Sequence, residues 1–200
     1  MKKFISVLLC ILLIVVFSGC GDENQAVEDY YETTVSFGKD GTITEVIVES
    51  FDKPYYTEDG LKAFFQEKIK DFNSTNIGNG TVELKSLTVE SGNAKATLFF
   101  DSDDTYKTFS GNSIFYGTIS EAYDKGYITE TVLKAYGTDG TITKNDLMKM
   151  NKSSIIVVSE VIRVSCPQKI AYTSANVEVI DDRMVRVSSD STGLAYIVLK

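Results

Sequence analysis

Residues 57–72 read TEDGLKAFFQEKIKDF, the most regular pattern in the chain. Apolar side chains recur there at the spacing of one face of an α-helix; they are Leu61, Phe64, Phe65, Ile69 and Phe72. Thr57 precedes the run, and its hydroxyl can accept a hydrogen bond from a free N–H of the first turn. The stretch therefore predicts an amphipathic helix over residues 58–72 whose apolar stripe packs into the core.

Four strand-like segments flank the predicted helix and pair into two hairpins. They occupy residues 35–37 with 42–51, and residues 82–90 with 94–100. Asp40 and Gly41 separate the first pair, and Ser91, Gly92 and Asn93 separate the second; these residue types supply the positive φ angles of tight turns. We therefore expect antiparallel strands on both sides of the helix.

Capping residues predict three short helices further along the chain. Asp103 is expected to cap a helical turn that reaches Phe109. Thr118 and Glu121 have the spacing of a capping box. Thr143 is expected to cap a third short helix over residues 144–150.

Beyond residue 154 the chain is dominated by β-branched runs. The first of them, residues 155–164, is predicted to be one continuous strand. The chain is thus predicted to have an α+β fold: antiparallel hairpins with one main amphipathic helix and short helices, followed by a β-rich C-terminal region. We expect either two regions, residues 34–130 and residues 131–200, or one composite domain over residues 34–200. Both arrangements fit the sequence, because no Pro/Ser-rich linker marks a boundary.

The N-terminal segment has the pattern of a bacterial lipoprotein signal. A basic start precedes an apolar run over residues 4–17, shorter than the about 20 residues that a spanning helix needs. The run ends in FSGC at residues 17–20, which resembles a lipobox. We expect residues 1–19 to be removed as a signal peptide, Cys20 to carry the lipid, and residues 20–33 to form an acidic tether. An ordinary signal peptide and an uncleaved anchor are the alternatives.

A lipid on Cys20 also predicts where the domain is held. A single acyl chain gives only marginal membrane binding, whereas two or more chains anchor a protein stably. Bacterial lipoproteins carry an anchor of diacylglyceryl and palmitate type. We therefore expect a soluble body at the outer, extracytoplasmic face of the cell membrane.

The composition excludes several classes of function. The chain has no histidine, which excludes Ser-His-Asp and Cys-His nucleophile systems and His-ligated zinc or iron sites. Its formal net charge is −8 and no Lys/Arg cluster offsets it, so nucleic-acid binding is rejected. With Cys10 in the leader and Cys20 lipidated, Cys166 is the one thiol left. No intramolecular disulfide can form, and we expect Cys166 to be buried.

Few residues stand out as candidate ligands. Asp101, Asp103 and Asp104 form the densest carboxylate cluster, and calcium favours such oxygens. The glycine and glutamate that an EF-hand loop needs are missing, so a solvated loop is the favoured interpretation. Tyr55 and Tyr116 are candidates for stacking on a sugar ring or a peptide. We expect no catalytic set, no resident metal and no cofactor.

Three stretches resemble a known family. They are residues 165–174 (SCPQKIAYTS), residues 118–126 (TISEAYDKG) and residues 193–198 (GLAYIV). They are similar to parts of a family of small lipoproteins from Gram-positive anaerobic bacteria, which has no assigned activity. The resemblance implies an anchored location outside the cytoplasm and transfers no functional residue.

The sequence therefore favours a non-enzymatic lipoprotein, a binding or accessory module at the cell envelope. Its partner would be an envelope protein, a peptide or a wall glycan. The alternative is a carboxylate-based hydrolase of cell-wall glycans, since glycoside hydrolysis needs two carboxylates and no histidine.

Overall fold

The computed structural model describes residues 30–129, 131–188 and 193–200. The predicted signal segment, Cys20 and the tether up to residue 29 lie outside these residues. Within the described ranges, no helix is both long enough and apolar enough to cross a membrane.

The described residues form four helices and thirteen strands. The helices are α1 (Glu58–Thr75), α2 (Asp103–Ser110), α3 (Ile119–Asp124) and α4 (Lys144–Lys149). The strands of the first half are β1 (Thr34–Phe37), β2 (Ile43–Ser50), β3 (Val82–Glu90), β4 (Asn93–Phe100) and β5 (Ile114–Thr118). Those of the second half are β6 (Val132–Ala135), β7 (Thr141–Thr143), β8 (Ser154–Val158), β9 (Arg163–Ser165), β10 (Ile170–Thr173), β11 (Val177–Val179), β12 (Met184–Val187) and β13 (Ala195–Leu199).

Seven strands form sheet A, in the order β11-β12-β9-β1-β2-β4-β3. Both predicted hairpins are present in it, as β1 with β2 and β3 with β4. The pairing of β1 with β9 is parallel and places Thr34 opposite Arg163, whereas the other neighbours are antiparallel. Sheet A therefore joins segments that are far apart in the chain.

Six strands form the antiparallel sheet B, in the order β5-β8-β13-β10-β6-β7, and its adjacent strands β8 and β13 are buried on both faces. Ile156 and Val158 of β8 belong to a core cluster shared with sheet A. Ile155 and Val157, on the other face of β8, pack in a second cluster with residues of α3 and α4. Because strands alternate their side chains between faces, sheet B is the middle layer of the molecule.

Helix α1 confirms the most regular pattern of the sequence and corrects one part of it. It covers the predicted residues, and the Thr57 hydroxyl accepts a hydrogen bond from Gly60 N. Phe65 is buried, and Leu61, Ile69 and Phe72 pack against the core shared by the two sheets. Phe64, however, is 57% exposed. Its inclusion in the core stripe was wrong, because it lies at the border of the apolar face, about 100° from Phe65 around the helix axis.

The three short helices form where capping residues predicted them. Thr118 and Glu121 form a reciprocal capping box at α3, and Thr143 forms one with Asp146 at α4. The cap of α2 was assigned to the wrong residue. Ser102, one position before Asp103, accepts the hydrogen bond from Thr105 N at the start of the helix.

The predicted strand over residues 155–164 is wrong as a single element. It divides into β8 in sheet B and β9 in sheet A, and residues 159–162 carry the chain from one sheet to the other. The apolar run hides this division because the crossing itself contains two apolar residues. Ile162 returns to the core and is 5% exposed, whereas Val161 beside it is 61% exposed.

The α+β prediction is confirmed, including the β-rich C-terminal region. Strands β9, β11 and β12 from the second half complete sheet A, whose other strands come from residues 34–100. Strand β5 from the first half forms an edge of sheet B. The two regions described by the sequence therefore share both sheets.

The double burial of β8 predicts that two consecutive substitutions both destabilise the protein. Ile156→Ala and Val157→Ala remove side chains from opposite faces, each of which is at most 1% exposed. Each should lower the free energy of unfolding by about 2 kcal/mol or more in urea denaturation. Val132→Ala on β6, where the side chain is 59% exposed, is the control and should change it by less than about 0.5 kcal/mol. A neutral result at either core position would contradict the three-layer packing.

Candidate functional site

Two glutamates share one buried tyrosine hydroxyl where the two sheets meet. Glu45 lies on β2 and is only 9% exposed, and the side chain of Tyr106 on α2 is completely buried. The Tyr106 hydroxyl lies 2.7 Å from Glu160 Oε1 and 3.3 Å from Glu45 Oε1. Asn112 Nδ2 donates to the second oxygen of Glu160 at 2.7 Å. Sheet A, α2 and the crossing between β8 and β9 are thus joined by one polar cluster.

The number of available protons decides which hydrogen bonds this cluster can form. A phenol has one proton to donate, and the shorter distance assigns it to Glu160. Glu45 can then bond the phenol oxygen only by donating a proton of its own. Burial and the two carboxylates raise the pKa of Tyr106, so the phenol keeps its proton.

The electrostatics agree with a protonated Glu45. Burial, followed by the charge of Glu160, raises the pKa of Glu45 to about 7, while the Tyr106 hydrogen bond and the charge of Lys68 on α1 act in the opposite direction. Burial also raises the pKa of Glu160, which the hydrogen bonds from Tyr106 and Asn112 oppose. The cluster is a proton-binding site inside the core.

A groove of about 610 Å³ lies between α1 and β3. One wall consists of Glu58, Lys62, Gln66, Ile69 and Lys70, which lie along one side of the helix. The other wall consists of every residue of β3 from 82 through 87. Because consecutive strand residues point to opposite faces, a wall that contains all of them is the edge of the strand. The groove therefore follows the edge of sheet A at β3, which no other strand of the described residues pairs with and which we call the free edge.

Asn73, near the end of α1, occupies one position of this edge. Its Oδ1 accepts from Val82 N at 3.0 Å and its Nδ2 donates to Val82 O at 2.9 Å. A neighbouring strand would make the same pair of bonds. Val82 thus turns its backbone groups toward the groove, and Leu84, two residues further along, does the same.

A β-bulge lies between Leu84 and Ser86 and shifts the alternation of β3 by one residue. Ser91 and Gly92 have φ angles of 51° and 78°, a two-residue turn of type I′. In such a hairpin Glu90 and Asn93 form the closing hydrogen-bonded pair, so Thr88 also bonds toward β4. The backbone groups of Leu87 and Val89 therefore face the free edge.

Two cations of the groove lack a partner among the described residues. Lys85 pairs with Glu83 and its ammonium lies 4.8 Å from the ring centroid of Phe99. Lys62 and Lys70, on the helical wall, form no ion pair within the described ranges. With three lysines and two glutamates in its lining, the groove carries a net positive charge in a chain whose formal net charge is −8.

The two tyrosines predicted as ligand-stacking residues lie in different surroundings. Tyr55 is 74% exposed and its ring meets that of Tyr56 edge-on, with centroids 4.9 Å apart. Tyr116 lies on β5 and packs against Phe37 at 5.4 Å. In the described part of the chain no ring contact joins Tyr55 to Tyr116, so the structure does not bring them together as one platform.

Two of the three carboxylates predicted as weak calcium ligands, those of Asp101 and Asp103, are engaged by the protein itself. Asp101 accepts from Thr81 N at 2.7 Å and from the Thr105 hydroxyl at 2.6 Å. Asp103 pairs with Lys125 at 2.8 Å. Asp104 belongs to the first turn of α2. Among the described residues, no group of three or more acidic or cysteine side chains could hold a metal ion.

Cys166 is buried, as its sequence context predicts. Burial, with a smaller contribution from Asp181, raises the pKa of its thiol to about 12. The thiolate that redox and acyl chemistry require is therefore scarce at neutral pH.

Glu45 and Asn73 were not predicted from the sequence. The sequence does contain a signal for the burial of Glu45. On a strand, Glu45 shares one face with Ile43 and Ile47, and that face is the one that turns toward the core. Asn73 has no comparable signal, since its partner Val82 lies across a loop. In the sequence, the one sign of the groove is a change in the spacing of the apolar residues of β3. They stand at even positions in Val82 and Leu84 and at odd positions in Leu87 and Val89.

Comparison with known proteins adds no relative to these observations. No family model, no curated protein and no solved structure matches the chain. The interpretation of the site therefore rests on its geometry.

The buried cluster predicts that stability falls as the pH rises. Folded protein keeps the Glu45 proton up to about pH 7, whereas an unfolded glutamate loses it near its ordinary pKa of 4.5. The folded state thus binds more protons in this window, and the free energy of unfolding should decrease between about pH 4.5 and 7, by an amount on the order of 3 kcal/mol. Urea denaturation at a series of pH values measures it.

Glu45→Gln should abolish most of this slope, because an amide can donate to the Tyr106 oxygen at every pH. The variant should therefore be more stable than the unaltered protein at pH 8. Glu49→Gln, an exposed position on the same strand, is the matched control and should leave the slope unchanged. Parallel pH profiles for the unaltered protein and Glu45→Gln would contradict the proton assignment.

Proposed function

We propose that this protein is a lipid-anchored binding module at the outer face of the cell membrane, and that it captures an extended peptide segment of an envelope protein. The peptide adds as a strand to the free edge of β3, in the groove beneath α1. The observation that carries the proposal is the second wall of that groove, a run of consecutive residues of an edge strand.

Strand addition fits the chemistry of this edge. Unpaired backbone N–H and C=O groups at the rim of a sheet are a template for another strand. Leu84, Leu87 and Val89 present such groups, whereas Val82 is already satisfied by Asn73. Asn73 therefore marks one end of the binding site, and the peptide pairs between Leu84 and Val89.

The predicted lipid anchor would hold the peptide-binding groove close to the membrane. The lipobox at residues 17–20 supports attachment through Cys20, and the acidic segment that follows supports a tether between membrane and domain. Such a module would hold a flexible part of another envelope protein close to the membrane. No enzymatic step and no cofactor are involved.

The alternative, a carboxylate-based hydrolase, receives little support from the geometry. A glycosidase places two carboxylates on either side of a substrate bond. Glu45 and Glu160 do face each other across the Tyr106 hydroxyl. Glu45 is only 9% exposed and Tyr106 is fully buried, however, so this pair serves the interior of the protein.

A bulky side chain in the groove should block peptide binding. Gln66→Trp fills the groove from an exposed position on α1, and Glu67→Trp places the same side chain outside it. We expect peptides selected from a seven-residue library against the full-length protein in detergent to bind Gln66→Trp at least 10-fold more weakly, and Glu67→Trp with unchanged affinity. Fluorescence anisotropy measures the affinity.

Bound peptide should also slow amide hydrogen exchange at Leu84 and Leu87, whose N–H groups gain a partner. Selection of no peptide, or equal binding to both tryptophan variants without protection of these amides, would contradict the proposal.

Replacement of the predicted lipid-bearing cysteine should abolish acylation. We expect labelled palmitate to be incorporated into the unaltered protein and not into Cys20→Ser, which has no thiol in the lipobox to carry the acyl chains. Mass spectrometry of the unaltered protein should find the acyl mass on the peptide that begins at Cys20. Cys166→Ser, which leaves the lipobox intact, is the control and should be labelled normally. Equal labelling of Cys20→Ser, or an unaltered protein without acyl mass on Cys20, would contradict the lipid anchor.

A further inference from the structure

We propose that the groove selects peptides with two acidic side chains four positions apart, at i and i+4. This inference rests on the proposed function and adds the chemistry of the partner. It is carried by the spacing of two lysines on the helical wall that have no ion partner among the described residues.

Helix α1 runs alongside β3 for the length of the groove. Asn73 near one end of the helix bonds Val82 at the start of the strand. Glu58, at the other end of the helix, lines the same groove as Leu87. A strand added to β3 would therefore lie along the helical wall, with alternate side chains turned toward it.

Lys62 and Lys70 are eight residues apart on α1. A helix rises about 1.5 Å and turns about 100° per residue, which separates them by about 12 Å along its axis and about 80° around it. Both side chains nevertheless line the groove. In an extended peptide, positions i and i+4 share one face and lie about 13 Å apart. Carboxylates at these two positions can meet both ammonium groups at once. Positions i and i+3 point to opposite faces, so one carboxylate of such a pair would face away from α1.

The groove also indicates what lies beyond the acidic positions. Glu58 lines the same groove one helical turn before Lys62 and disfavours a third acidic residue beyond the one that meets Lys62. The preferred pattern is therefore one acidic residue at i and one at i+4, without a third acidic residue on the Glu58 side.

Three labelled heptapeptides test the inference with the full-length protein in detergent. Thr-Glu-Thr-Val-Thr-Glu-Thr has the proposed spacing, Thr-Glu-Thr-Val-Glu-Thr-Thr has the same composition with the spacing i and i+3, and Thr-Lys-Thr-Val-Thr-Lys-Thr reverses the charge. In fluorescence anisotropy we expect the first to bind at least 10-fold more tightly than the other two, with the difference reduced by added salt.

Charge reversal on the protein completes the test. The double variant Lys62→Glu/Lys70→Glu should prefer the lysine peptide, whereas Lys53→Glu, outside the groove, should keep the original preference. Equal binding of the two glutamate peptides, or an unchanged preference in the double variant, would overturn the inference.

The failure of the inference can be told apart from the failure of the proposed function. A library peptide that protects the Leu84 and Leu87 amides but contains no acidic pair overturns the inference and leaves strand addition intact. If no peptide of any charge protects these amides, the proposed function itself is overturned.

Discussion

The burial of both faces of β8 and β13 in sheet B is the constraint on which the rest of the structure depends. Residues 155–158 of β8 and all residues of β13 are apolar and buried. Sheet A covers one face, and α3 and α4 cover the other. A sheet with a single apolar face could have remained open to water on the other side. Here the chain must supply a separate packing layer for each face. Helices α3 and α4, although only six residues long, supply one of these layers.

The same constraint places a polar group where one would not be expected. The crossing between β8 and β9 brings Glu160 to the buried Tyr106 hydroxyl. A carboxylate buried without partners would be strongly destabilising. Tyr106, Asn112 and a proton on Glu45 satisfy the group, so the joint between the sheets is held by hydrogen bonds as well as apolar contact. Its strength depends on the acidity of the surroundings, unlike that of the layers around it.

The sequence predicted features that depend on local chemistry and missed those that depend on distant partners. The caps at Thr57, Thr118 and Thr143 were predictable because capping involves residues within one turn. The division of residues 155–164 between two sheets was not, because a continuous apolar run does not reveal which layer covers it. The pairing of Asn73 with Val82 depends on how α1 packs against sheet A. The free edge of β3 likewise exists only once the strand order is known.

The position of β13 has a consequence for how such a chain is made. This strand, the last of the thirteen in chain order, lies between β8 and β10 in the middle of sheet B. Strand β1 likewise lies between β9 and β2, so it gains its second neighbour only when β9 has formed. Contacts of such long range form late and slowly. During synthesis from the N-terminus, sheet B therefore cannot close until residues 195–199 have left the ribosome, so the native core forms only after almost the whole chain has been made.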